Sequence, residues 1–108
     1  MPPRPPVPFV IESRSGPDRC TICPRGELDI ATVPQLEEAL ALAEQSSVGE
    51  VLVDLREVTF IDSMGVRCLL QATARSQGDS ARLRVIRGSD QVELVLRIAG
   101  VADQIPFV

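Results

Sequence analysis

The sequence predicts a single α/β domain, with a mixed, mostly parallel sheet of four to five strands flanked by helices and opened by an N-terminal β-hairpin. Three observations predict it. The chain has 108 residues, enough to bury one hydrophobic core and too few for two. Short runs rich in Val, Ile and Leu alternate with longer stretches whose apolar positions recur at helical spacing, as they do where helices cross over between parallel strands. Ahead of the first helical stretch, two strand-like segments lie on either side of Ser15-Gly16-Pro17-Asp18, a turn sequence.

Residues 1–8, MPPRPPVP, carry five of the nine prolines and are expected to form an extended arm ahead of a domain spanning residues 9–108. Val7 to Glu12 suits a first strand, and Cys20 to Arg25 returns as the second. Pro24 cannot donate to a ladder, which points to an edge or a bulge there. Thr32-Val33-Pro34-Gln35 places a hydroxyl at an N-cap, Pro in the first turn and Gln three residues after the cap, so a helix with a capping box is expected. Leu36, Ala39, Leu40 and Ala43 form its inner stripe, Glu37, Glu38 and Glu44 point outward, and Ser46 to Gly49 ends it.

The run Val51-Leu52-Val53-Asp54-Leu55 reads as a central strand covered on both faces, with Asp54 as the exception. Val58, Phe60 and Ile61 lead into Asp62-Ser63. Val66, Leu69, Leu70 and Thr73 mark a second helix to about Gln77, stopped by Gly78-Asp79. Leu83, Val85 and Ile86 form another strand, Asp90 with Glu93 signals a third helix, and Gly100 ends it. Ile105 to Val108 is expected as a short last strand.

Composition excludes several functions. The formal net charge is −4, with a sequence pI near 4.7, which opposes binding to a phosphate backbone. With three Phe and no Trp or Tyr, stacking on bases or sugars is not expected. No apolar stretch approaches the roughly 20 residues that span a bilayer, so the chain is expected to be cytoplasmic and free of membrane. His is absent, which removes the commonest general base and metal ligand. Cys20 and Cys23 would face opposite sides of a strand and lack a second ligand pair, so these two read as buried, unpaired thiols. No cofactor is implied, and a binding module is expected rather than an enzyme.

The turn Asp62-Ser63-Met64-Gly65 carries the functional expectation. It joins a strand to a helix start, where free backbone N–H groups and the positive end of the helix dipole meet. The plain alternative is that Ser63 or Asp62 caps the helix. A phosphoserine would favour the helix by about 0.3–1 kcal/mol, and repulsion from Asp62 would be worth about 1 kcal/mol in solvent. A hundredfold loss of affinity needs about 2.8 kcal/mol, so a phosphoswitch at Ser63 requires the turn to be an interface with a partner that must desolvate or repel the dianion.

Other constellations are weaker. Glu27, Asp29 and Asp54 could form an acidic metal pocket, but there is no paired acidic dipeptide after the first strand, and every basic residue is Arg. Arg82, Arg84 and Arg87 read as a solvated face balancing the nearby acids. Ser63 has no His or Lys to activate it as a nucleophile.

Two segments, GELDIATVPQLEEAL at Gly26 to Leu40 and VLVDLREVTFIDSMGVRCLL at Val51 to Leu70, resemble the STAS family, and specifically the bacterial anti-sigma factor antagonists. The similarity extends through VELVLRIAGVADQIPFV. The resemblance implies a mixed sheet flanked by helices and a partner switch. The unphosphorylated antagonist binds an anti-sigma factor that is also an ATP-dependent serine kinase, freeing a sigma factor. Phosphorylation of the serine after the motif aspartate breaks the complex, and a serine phosphatase restores it. By position the phosphoacceptor is Ser63, Asp62, Met64 and Gly65 complete its turn, and Asp29 borders the same partner-binding surface. Many members have Ser or Thr in place of Met64, which leaves Ser63 as the one hydroxyl in the turn. Many also continue into another helix, which leaves open what covers that side of the sheet. The alternative within the same fold is a STAS subunit of a transporter or multiprotein signalling complex that is never phosphorylated.

Overall fold

β1 (Val10–Ser15) and β2 (Arg19–Leu28) form the expected hairpin, antiparallel, with Ser15 opposite Cys20. The computed structural model describes residues 8–77 and 82–108. The expected arm therefore lies outside the described residues except for Pro8, as does the helix stop expected at Gly78-Asp79. After the hairpin come α1 (Val33–Gln45), β3 (Glu50–Asp54), β4 (Val58–Ile61), α2 (Ser63–Ser76), β5 (Leu83–Ile86), α3 (Asp90–Ile98) and a 3-10 turn at Ala102–Gln104.

The sheet has five strands in the order β1-β2-β3-β5, with β4 paired to β2. Every pairing except β1–β2 is parallel. The fifth strand is not at the chain's end as expected. Val58–Ile61, read from sequence as a lead-in, pairs with the last residues of β2, whereas Phe107 makes only an isolated bridge to Val85. The tripeptide Ile105-Pro106-Phe107 cannot extend a ladder, because Pro106 has no N–H to donate.

Pro24 is paired on one side only, at the gap between the two parallel partners of β2. It lies opposite Ile11 in the hairpin, past the end of the β3 register at Ile22 and before the β4 register begins at Gly26. Its missing N–H leaves no β3 or β4 carbonyl without a donor. The irregularity comes two residues later, where the β2–β4 register shifts between Gly26 and Glu27.

Strand alternation sorts the side chains onto two faces. The row Ile22, Val53 and Val85 belongs to one core cluster with Leu36 and Leu40 of α1, Leu69 and Ala72 of α2, and Val92 and Leu96 of α3. All three helices therefore share one face of the sheet. The next row, Thr21, Leu52 and Arg84, points the other way, and Leu52 lies outside that cluster. The expectation that β3 is covered on both faces is thus corrected. Thr21, Leu52 and Asp54 instead help line a concavity of about 460 Å³ on the face away from the helices. Leu52 is only 8% exposed because its neighbours on the strands shelter it.

The helix ends are built by local chemistry. The capping box expected at Thr32 and Gln35 does not form, and Thr32 makes no side-chain cap. At α3, the Ser89 hydroxyl accepts from the Val92 N–H, and Glu93 accepts from the Gly88 N–H at 3.0 Å. Gly100 ends that helix with a φ of 74°. Its N–H donates to Arg97 O at 3.0 Å, and the Val101 N–H donates to Leu96 O at 3.1 Å, the paired closure that a left-handed residue allows.

Candidate functional site

β2 and β4 run parallel and end together at Leu28 and Ile61, so the loops that follow them emerge side by side. One is Asp29–Thr32 and the other is the turn Asp62–Gly65. The Asp62 N–H donates to Leu28 O at 3.1 Å. Its carboxylate then joins the two loops. Oδ1 accepts from the N–H groups of Met64 at 2.9 Å and Gly65 at 3.0 Å, while Oδ2 accepts from the Ile30 N–H at 3.2 Å.

Asp29 organises the neighbouring loop. Its Oδ1 accepts from the N–H groups of Ala31 at 2.9 Å and Thr32 at 3.2 Å. Thr32 Oγ1 accepts from the Asp29 N–H at 2.9 Å and donates to Glu27 O at 2.7 Å. The threonine that was expected to cap α1 by itself thus braces the loop, and the aspartate takes the early amides.

Gly65 makes this junction tight. A Cβ added there would stand 2.6 Å from Ile61 Cγ1 and 2.9 Å from Leu28 O, closer than van der Waals contact permits. The start of α2 is therefore seated on the strand ends in a way only glycine allows. Met64 is partly buried against the core, so its side chain supports the turn from beneath. Ser63 is exposed at the first helical position, and among the described residues no side-chain hydrogen bond ties its hydroxyl. Asp62 is the cap, which leaves Ser63 with no capping task.

One feature of the surface was not singled out from the sequence. Ile30 is 70% exposed yet held by its N–H to Asp62. An aliphatic side chain so displayed is unusual for a loop pinned at both ends. The only signal was an apolar residue inside an otherwise polar turn, and such residues are common enough to pass unnoticed.

The acidic trio does not converge. Asp29 faces its own loop, while Asp54, 8% exposed, is engaged by Arg56 on the sheet's open face. Arg56 Nη2 donates to Asp54 Oδ2 at 2.8 Å, and its Nε and backbone N–H both donate to Oδ1 at 3.0 Å. These bonds hold the Asp54 carboxyl below the usual carboxylate range, against burial, which acts to raise it. The concavity is also lined by Glu12, Arg14 and Arg25, and Glu12 pairs with both arginines. These charges satisfy one another, and among the described residues Glu57 is the charged lining residue left without an ion pair.

Of the arginine face, Arg82 alone departs from the expectation. It donates to the carbonyls of Glu44 and Ser46 at the end of α1. Arg84 and Arg87 are exposed, and Arg87 pairs with the nearby acid Glu93 and lies 4.2 Å from the centroid of the Phe107 ring. Cys20 and Cys68 are buried and Cys23 is half-buried, all three as free thiols. Burial pushes the Cys68 thiol up to about 11.

The chain is thus a two-layer α/β domain with a braced, exposed serine turn beside its sheet ends. The family model described as "Mlab, STAS domain" matches residues 12–108, and the chain belongs to the STAS domain family. The anti-sigma-B factor antagonist of Staphylococcus aureus is 31% identical over 78 residues, 72% of each chain. The fold is similar to that of an anti-sigma factor antagonist from Mycobacterium paratuberculosis, with a TM-score of 0.79 at 22% identity over 93% of this chain and 85% of that one. It is also similar to SpoIIAA, an anti-sigma factor antagonist solved in its unphosphorylated form, with a TM-score of 0.72 at 22% identity over 94% and 88% of the two chains.

Proposed function

We propose that the protein is a cytoplasmic anti-sigma factor antagonist. In this reading it binds an anti-sigma factor that is also a serine kinase, releases a sigma factor, and is switched off by phosphorylation of Ser63. The similarity to anti-sigma factor antagonists supports the role. The observation that carries the site is the contrast inside the turn: Asp62 and Asp29 use their side chains to fix the backbone, while the Ser63 hydroxyl is exposed and untethered.

The energetics follow from that contrast. Transfer of the γ-phosphoryl group of ATP to Ser63 Oγ, with release of ADP and of the hydroxyl proton, leaves the fold's own hydrogen bonds in place. The new dianion stands beside the Asp62 carboxylate on a surface the partner has to cover. Desolvating it there against a partner that offers no cation of its own exceeds the 2.8 kcal/mol or so that a hundredfold loss of affinity requires. A serine phosphatase resets the surface by hydrolysis.

The test is direct. Ser63→Ala is expected to remain bound to the kinase partner and to take no label from ATP. Labelling of the alanine variant at the wild-type level refutes Ser63 as the acceptor. Mass spectrometry of the protein purified from its host, with its captured partners, reads the physiological state. A bare Ser63 under every growth condition would favour the alternative, a STAS subunit of a transporter or signalling complex.

A further inference from the structure

We propose that Arg67 is the residue that receives the phosphate of Ser63, its guanidinium pairing with the phosphoryl oxygens one helical turn along α2. The inference rests on the reading of Ser63 as the modified residue and adds to it the group that holds the modification. Ser63 opens α2 and Arg67 follows four residues later, a spacing that brings two side chains onto one helix face with about 5–6 Å between Cβ atoms. The order is the favourable one, with the anion nearer the N-terminus and the cation nearer the C-terminus. Both residues are exposed.

Arg67 is also available. Arg14, Arg19, Arg25, Arg56, Arg75 and Arg87 each have a carboxylate partner. Among the described residues Arg67 has none, and it makes no side-chain hydrogen bond. On the same helix, Arg75 is committed to Glu44 of α1 at 2.8 Å.

A second observation removes the usual competitor. The start of a helix ordinarily offers its free N–H groups to a phosphate. Here the Met64 and Gly65 N–H groups already donate to Asp62 Oδ1, and the Ile30 N–H donates to Oδ2. The turn thus presents a phosphate with a carboxylate and, among its described donors, with only the Ser63 N–H unengaged. On the Cys68 side of α2 the charges are Glu37 and Glu44 of α1 and Arg75, the arginine already paired with Glu44. The compensating charge comes from Arg67, whose planar fork can take two phosphate oxygens at once.

The experiment installs phosphoserine at position 63 during translation, in the unsubstituted chain and in Arg67→Gln and Arg67→Lys, and follows the phosphate by 31P NMR against pH. The second ionisation in Arg67→Gln is expected about 0.2–0.4 pH units higher than in the unsubstituted phosphoprotein, the size of an exposed helical ion pair, with Arg67→Lys keeping most of the difference. In the unsubstituted chain the Arg67 Nε–H resonance is expected to move downfield on phosphorylation. Equal midpoints in the three proteins together with an unmoved Arg67 resonance overturn the pairing. Because the phosphate is installed rather than acquired, this result is separate from the host measurement, where a bare Ser63 would sink the functional reading alone.

Discussion

Asp62 is the residue on which the site depends. One carboxylate accepts three backbone N–H groups from two loops, so it caps α2 and sets the position of Ile30 at the same time. Asp62→Ala is expected to cost about 1–2 kcal/mol, the range of a lost N-cap, and to weaken partner binding beyond that because the Ile30 loop is released. Asp62→Asn, whose single amide oxygen can retain the cap but not also the bond to Ile30, should fall between. Urea denaturation of the three proteins reads the first effect, and partner titration reads the second. An alanine variant with unchanged stability and affinity would show that the carboxylate does not brace the turn.

At the scale of elements, the link between β3 and β4 is held by the Asp54–Arg56 pair, and it carries a pH signature. The Arg56 hydrogen bonds hold the Asp54 carboxyl lowered in the folded state. A lowered folded value means the contribution is present above the unfolded value of about 3.9 and is lost as pH falls through the folded one. Arg56→Gln removes that dependence at its source. The stability of the wild-type chain is expected to fall more steeply between pH 5 and pH 2, a window set at about these limits by the unfolded carboxylate, than that of the variant. Parallel curves from denaturant melts across that range would count against the pair.

For the molecule as a whole, the helices share one face of the sheet and, among the described residues, leave the other open, and the cysteines report on this division. Cys20 belongs to the core cluster under the helices, whereas Cys23 lines the concavity on the far face. In the native protein at pH 8, iodoacetamide is expected to label Cys23 well before Cys20 and before Cys68, whose thiol is buried and pushed up to about 11. Only in denaturant should the three react alike. Early labelling of Cys20 would mean that the helical layer does not cover it. The apolar run of β3 could not reveal this arrangement from sequence, because Leu52 is sheltered by strand neighbours rather than by a helix.

What the sequence determined by itself is whatever depends on neighbours along the chain. The hairpin turn, the inner stripe of α1, the three helices, the stop at Gly100 and the motif that places Ser63 at a helix start are all set within a few residues, where periodicity and turn chemistry act. The tertiary structure alone decided that Val58–Ile61 joins β2, that Asp29 rather than a Thr32 capping box organises the start of α1, that Arg82 and Arg87 are engaged, and that Asp62 reaches Ile30 across 32 residues of chain. Each of these is a choice among partners of similar chemistry. Such choices are settled only when the parallel strands bring distant loops to the same end of the sheet and every buried or braced polar group must find a donor there.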